Sequence, residues 1–63
     1  MRLILKQTSY AQVAVALDMM RRAGITDPRG CTDGEDGSVV VDEADVPCAF
    51  DVLALLGISE RIG

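Results

Sequence analysis

The chain alternates short apolar runs with polar segments, and the spacing of the apolar positions changes along it. In residues 2–7, RLILKQ, Leu3 and Leu5 share one side, while Arg2, Ile4 and Lys6 occupy the other. Alternation with a period of two over so short a run is typical of a strand with one buried face. The first element is therefore predicted to be a β-strand.

The next segment has helical spacing. Ser9 and Gln12 stand three residues apart, the spacing of a capping box, in which each residue satisfies a free backbone amide at a helix start. Gly24 and Ile25 predict a helix end in which a left-handed glycine turns the chain and an apolar residue folds back. The predicted apolar side of this helix comprises Tyr10, Val13, Ala16, Leu17, Met20 and Ala23.

A second helix is expected to begin at Asp45, whose side chain is predicted to cap it. Pro47 is tolerated in the first turn, because the amide hydrogen that proline lacks would have no partner there. Gly57 and Ile58 repeat the Gly-Ile ending of the first helix, with Leu53 as the apolar contact.

The segment between the helices is rich in turn residues. The dipeptides Asp33-Gly34 and Asp36-Gly37 are typical of hairpin turns, so residues 29–32 are expected to form a strand that turns back into SVVV, residues 38–41. The predicted order is β-α-β-β-α. We expect a small α/β (α+β) fold, a two-layer sandwich of two helices on one face of a three-stranded sheet, in a single domain over residues 1–63.

The second helix is apolar on nearly every side. A helix of this kind is expected to be buried on more than one face, which so short a chain has little second layer to provide. The second stripe is therefore predicted to meet another chain; the alternative is a core that wraps further around the helix. An apolar edge strand at residues 3–5 or 39–41 would favour a homodimer in the same way. The core stripe comprises Val46, Ala49, Phe50, Leu53 and Leu56, and the second stripe Cys48, Val52 and Leu55.

Charge is distributed unevenly. Residues 1–29 carry a net charge of +3 and residues 30–63 a net charge of −7, which together give −4. This excess of negative charge in the second half indicates an acidic surface that a basic partner could recognise. The alternative is a solvent-exposed face that only increases solubility. The acids predicted to contact a partner are Asp33, Glu35, Asp36, Asp42 and Glu43.

Candidate chemistry is sparse. The acidic loop does not follow the register of a calcium-binding EF-hand, there is no histidine, and the glycines do not match a phosphate loop, so no metal, cofactor or catalytic residue is predicted. Cys48 has no histidine to act as its base and is expected to be a small core residue; whether it pairs with Cys31 is left open. The acidic pI near 4.4 disfavours direct nucleic-acid binding. No apolar run approaches the ~20 residues of a membrane span, and no signal peptide is recognised, so a cytoplasmic protein is expected.

Residues 11–25, AQVAVALDMMRRAGI, and residues 39–56, VVVDEADVPCAFDVLALL, together resemble a family of small prokaryotic signal-transducing domains of unknown function. That family has a fold similar to part of a PII-type regulator. The resemblance implies the fold more than a function, because the family has no catalytic residues to carry over. The CTDGEDG hairpin and the strong acidity of this chain depart from the family pattern.

These observations predict a protein-interaction module rather than an enzyme, docking on a basic surface of a larger protein. The acids would steer association, and Val52 and Leu55 would form the desolvated centre. One alternative is a phage-type inhibitor, such as an anti-CRISPR or a transcription blocker, that mimics nucleic acid. Another is a PII-like sensor that binds a small ligand at a dimer interface.

Overall fold

A computed structural model describes all of residues 1–63. It contains two helices and four strands, and a short 3-10 turn, Glu43–Asp45, leads into the second helix. In chain order the elements are β1 (Arg2–Leu5), α1 (Tyr10–Arg22), β2 (Arg29–Asp33), β3 (Asp36–Val40), α2 (Val46–Leu55) and β4 (Glu60–Ile62). No helix combines the length and the apolar character that crossing a membrane requires.

The strands form one antiparallel sheet in the order β2-β3-β1-β4. Because β3 is antiparallel to both β1 and β2, those two strands run parallel on either side of it. In the same way β3 and β4 run parallel on either side of β1. The chain therefore consists of two split β-α-β units, β1-α1-β2 and β3-α2-β4, and each unit inserts one strand between the two strands of the other.

The fold is mixed α/β, as the sequence predicts, but the prediction of three strands is wrong. Strand β4 pairs with β1, with Leu3 opposite Ile62 and Leu5 opposite Glu60. It is only three residues long, too short to show an alternating pattern. The expected apolar edges are also wrong, because β1 and β3 are the central strands and the edges are β2 and β4. Arg29 and Arg61 lie on those edge strands, which limits pairing with another chain.

The two faces of the sheet differ sharply. Leu3, Leu5 and Val39 point to the helix face and are fully buried. Gly30 and Gly37 lie on the same face, where α1 approaches so closely that a Cβ atom at either position would come within 2.7 Å and 2.6 Å, respectively, of the Val13 side chain. Glycine is favoured at both positions, because a larger side chain would require Val13 or the helix to shift.

Helix α1 begins and ends as predicted. The Ser9 hydroxyl accepts a hydrogen bond from the Gln12 amide at 3.4 Å, and the Gln12 side chain accepts one from the Ser9 amide at 3.1 Å. At the other end Gly24 takes φ +100, and the Ile25 amide donates to the Met20 carbonyl at 3.0 Å. This bond satisfies a carbonyl that the helix itself leaves free.

Helix α2 ends in the same way but begins differently. Gly57 takes φ +71, and the Ile58 amide donates to the Leu53 carbonyl at 3.0 Å, as predicted. The predicted cap at Asp45 is wrong, because its side chain makes no capping hydrogen bond and its backbone already has helical angles. The preceding 3-10 turn supplies the start of the helix instead, and Pro47 lies in the first turn as expected.

The core shows which side of α2 is buried. Val46, Ala49 and Leu53 are buried as predicted, whereas Phe50 and Leu56 only pack against the core. Val52, which was expected on the exposed second stripe, is buried with 5% of its surface exposed. The prediction failed because α1 packs beside α2 as well as on the sheet, so the core extends around α2 toward Val52. The complete cluster is Leu3, Leu5, Val13, Ala16, Met20, Ile25, Val39, Val41, Val46, Ala49, Val52, Leu53 and Ile58.

Candidate docking surfaces

One side of α2 faces away from the core. Pro47, Asp51 and Leu55 recur at intervals of four residues and are all exposed, as are Asp42 and Glu43 immediately before the helix. Leu55 is the most exposed large apolar side chain of the chain, with 79% of its surface accessible. We call this surface the docking side of α2; it comprises Pro47, Asp51 and Leu55 on the helix, and Asp42 and Glu43 precede its amino end.

The acids of this surface have no cationic partner in the chain. The two ion pairs join Arg22 to Asp18 at 3.0 Å and Arg29 to Asp27 at 3.1 Å, and both acids belong to the first half of the sequence. All eight acids beyond residue 30 are therefore uncompensated by an ion pair. Acids at the amino end of a helix also interact favourably with its dipole, so their negative charge is tolerated at this place.

The other predicted acids lie at the tip of the β2–β3 hairpin. Gly34 and Glu35 form its two-residue turn, with Gly34 at φ +66, a conformation that favours glycine. Asp33 and Glu35 are exposed. Asp36 is half-buried, and its Oδ1 accepts a hydrogen bond from the Gln7 amide at 3.1 Å. Asp36 therefore ties the hairpin to the turn after β1, a structural role that sequence reasoning missed.

The structure divides the seven predicted contact residues into three groups. Asp42 and Glu43 precede the amino end of α2, where Asp42 lies in a depression that Arg29 also lines, and Leu55 is the last residue of the helix. Asp33, Glu35 and Asp36 lie at the hairpin tip, at the other end of β3, a strand that spans roughly 13 Å. Val52 lies in the core and cannot contact a partner. The predicted acids and Leu55 therefore do not form a single surface: the hairpin acids lie at one end of β3, Asp42 and Glu43 lie before the amino end of α2, and Leu55 lies at the end of that helix, one turn beyond Asp51.

The face of the sheet opposite the helices is uncovered. Its middle row runs across all four strands through Cys31, Ser38, Ile4 and Arg61, because these residues are register partners in adjacent strands. Arg2 follows next to Ile4 on the same face, and the surface forms a shallow depression of about 450 Å³. We call it the outer sheet face; its lining also includes Asp33 and Asp36 at the hairpin end.

Both cysteines are free thiols. Cys31 is exposed on the outer sheet face, where its Sγ lies 3.1 Å from the Ser38 Oγ. Cys48 is half-buried and packs against the core on the helix face. The sheet separates the two side chains, so they do not meet within one chain.

A small apolar groove lies between the start of α1 and the segment that follows α2. Its volume is about 200 Å³, and Gln12 is its one polar residue. The other lining residues are Ala11, Val15, Leu56 and Ile58.

The grouping of three arginines on the outer sheet face was not predicted from the sequence. Arg2, Arg29 and Arg61 are far apart along the chain, and the register of the sheet brings all three to one face. The alternating pattern of β1, which puts Arg2 and Ile4 on one face, indicated part of this surface. Arg61 joins them only because β4 pairs with β1. Comparison with protein-family models, curated proteins and solved structures found no match for this chain.

Proposed function

We propose that this protein is a non-enzymatic interaction module that docks on a basic surface of a larger protein through the docking side of α2. The observation that carries the proposal is the combination, on one exposed helix side, of unpaired acids with the most exposed leucine of the chain. Leu55 would be the desolvated centre, and Asp51, one helical turn before it, would pair with a cation of the partner.

The two acidic clusters have different parts in this proposal. Asp51 lies one helical turn from the apolar centre and loses water on binding, so removing it should accelerate dissociation. Glu43 lies before the amino end of α2, far from Leu55, so its removal should affect dissociation less. The hairpin acids Asp33 and Glu35 lie away from that centre and would act over a distance, chiefly on the rate of association, which salt screens.

The proposal is tested by capturing binding partners with the immobilised protein and then measuring the kinetics with each purified partner. Leu55→Asp should weaken binding by about 2 kcal/mol, the cost typical of a residue at the centre of an interface. Asp51→Lys should also weaken binding, with most of the effect on the dissociation rate.

The matched control is Glu35→Lys, which makes the same change of charge at the hairpin tip. It should lower the association rate at low salt and leave the dissociation rate nearly unchanged. If Glu35→Lys weakens binding as much as Asp51→Lys while Leu55→Asp has no effect, docking through α2 is wrong.

A second candidate is the small-ligand sensor. It is favoured by the groove of Ala11, Val15, Leu56 and Ile58, whose volume of about 200 Å³ admits a small apolar group. Calorimetry against a panel of metabolites should give heats that a Val15→Asp variant loses. A panel without heats, or heats that Val15→Asp leaves unchanged, would exclude this groove as the sensor site. Nucleic-acid mimicry stays a prediction, since it differs from general docking only in the identity of the partner.

A further inference from the structure

We infer that the outer sheet face binds the docking side of α2 of a second copy of this chain, so that copies associate head to tail. The end of the outer sheet face that lies away from the hairpin is opposite in charge to the docking side of α2. This face is a shallow depression lined by Ile4, Arg2 and Arg61, with Asp33 and Asp36 at its hairpin end. The other is an exposed helix side with a protruding leucine and an unpaired aspartate.

The proposed contact places Leu55 of one copy on Ile4 of the next. Ile4 is half-buried in the middle row of the sheet, because Gly63 packs so closely on it that a Cβ atom there would lie 2.5 Å from the Ile4 Cγ1. Only the part of the Ile4 side chain away from Gly63 is open to a partner. Asp51 lies one helical turn from Leu55, about 6 Å along the axis, within reach of the arginines beside Ile4. Neither Arg2 nor Arg61 has an ion-pair partner within its own chain.

Charge also sets the orientation of the second copy. Asp33 and Asp36 occupy the hairpin end of the outer sheet face and repel the acids of the incoming helix. The acidic amino end of α2 is therefore directed away from the hairpin, toward the row that contains Arg2 and Arg29. A helix laid on this face would give the sheet the second helical layer that it lacks.

The contact is small and joins unlike surfaces. Four strands spaced ~4.8 Å apart present a face of only roughly 300 Å², less than the ~800 Å² per partner of a stable complex, so association is expected to be weak. Because each copy uses both surfaces, the interface is heterologous and can extend to further copies. It also occupies the surface proposed above for the larger partner, yet it requires no such partner.

The test uses two purified variants, each of which retains one surface. Arg61→Asp damages the outer sheet face, and Leu55→Lys damages the docking side of α2. Both positions are exposed, so both variants should fold, which circular dichroism checks. By light scattering at ~1 mM protein and ~0.15 M salt, the unmodified chain should exceed the monomer mass of 6.7 kDa, and each variant alone should remain at it.

Mixing the two variants gives the decisive measurement. The Leu55→Lys variant, which has an intact outer sheet face, is isotope-labelled. Its amide signals should shift when the unlabelled Arg61→Asp variant, which has an intact docking side of α2, is added. The shifts should be confined to the strands of the sheet, including the row of Arg2, Val40 and Arg29, and should spare the hairpin tip. Arg21→Asp, which lies outside both surfaces, should associate like the unmodified chain, and Arg2→Asp should behave like Arg61→Asp.

Three results would overturn the inference. The first is a monomer mass for the unmodified chain at every concentration. The second is association that Arg61→Asp and Leu55→Lys both leave intact. The third is a mixture of the two variants in which no amide of the sheet shifts. If an added oligonucleotide or acidic peptide does shift those amides, the occupant of the outer sheet face is not a second copy. All of these measurements use pure protein, so their failure is distinguishable from the failure of docking to a larger partner.

Discussion

The two split β-α-β units of this chain share a plan but differ where their helices begin. Both helices end with a left-handed glycine and an isoleucine whose amide bonds back to the helix, at Gly24-Ile25 and Gly57-Ile58. Helix α1 begins with a side-chain capping box, whereas α2 begins with a 3-10 turn and no side-chain cap. The common ending is set by local sequence, since glycine is the residue that adopts the required angles.

The units also differ in how their helices are buried. Helix α1 lies directly over the glycines of β2 and β3, with Arg21 and Arg22 exposed at its end. Helix α2 is buried against both the core and α1, which accounts for its nearly all-round apolar composition. The excess of apolar residues in the second unit is therefore used mostly inside the molecule, and only Leu55 remains strongly exposed on the outer side.

The sharpest test of this division is a pair of substitutions three positions apart on α2. Val52→Asp places an unpaired charge in the core and should cost about 4 kcal/mol or more, a large part of the roughly 3–9 kcal/mol expected as the whole stability of a chain of this length. Leu55→Asp should change stability by less than ~0.5 kcal/mol. Urea denaturation followed by circular dichroism measures both, and comparable losses would show that Leu55 is buried too.

The close approach of α1 to the sheet predicts the next effect. Gly30→Ala introduces a Cβ atom 2.7 Å from a Val13 methyl and 3.1 Å from a Leu17 methyl, and should destabilise the fold by about 1–3 kcal/mol. The double variant Gly30→Ala/Val13→Ala should lose less stability than the sum of the losses of the two single variants, because the clashing Val13 methyl is gone. Strict additivity in urea denaturation would contradict the clash.

The shared helix ending predicts matched losses in the two units. Gly24→Ala and Gly57→Ala should each cost about 1–2 kcal/mol, since neither position has a steric neighbour within 4 Å and the cost comes from the backbone angle alone. Asparagine at either position should cost less, because it tolerates left-handed angles. Melting temperatures of the four variants measure this, and a large difference between the two alanine variants would show that the endings are not equivalent.

The smallest effect separates the two helix starts. Ser9→Ala should cost about 1 kcal/mol, because it removes the hydroxyl that accepts from the Gln12 amide. Asp45→Ala should cost no more than a few tenths, since its side chain caps nothing and contributes only through the helix dipole. An equal loss at both positions would mean that Asp45 does cap α2 in solution.

The parts of the fold that depend on residues close together in the sequence were predictable from it. The capping box at Ser9, both Gly-Ile endings and the turn at Gly34 follow from local rules and are confirmed. The second predicted turn, Asp36-Gly37, is wrong, because both residues pair within β3. Strand β4 was not predictable, since three residues carry too little pattern and its stability comes from pairing with β1. The burial of Val52 was not predictable either, because it depends on where α1 lies relative to α2.

The candidate site was predicted only in part, for the same reason. Leu55, Asp42 and Glu43 were identified from composition and helical spacing, and the structure exposes all three. The separation of the hairpin acids from α2 could not be read from the sequence, in which both clusters form one run from Asp33 to Asp45. The arginines of the outer sheet face are collected by strand register, a long-range property.

The interlocking of the two units bears on how the chain reaches its folded state during synthesis. Strand β1 is made first, yet it pairs with β3 on one side and with β4 on the other. On the ribosome, β1 must wait unpaired until β3 emerges, and its second neighbour arrives only when residues 60–62 leave the exit tunnel. Such high contact order slows folding and leaves the emerging leucines of β1 open to chaperones in the meantime.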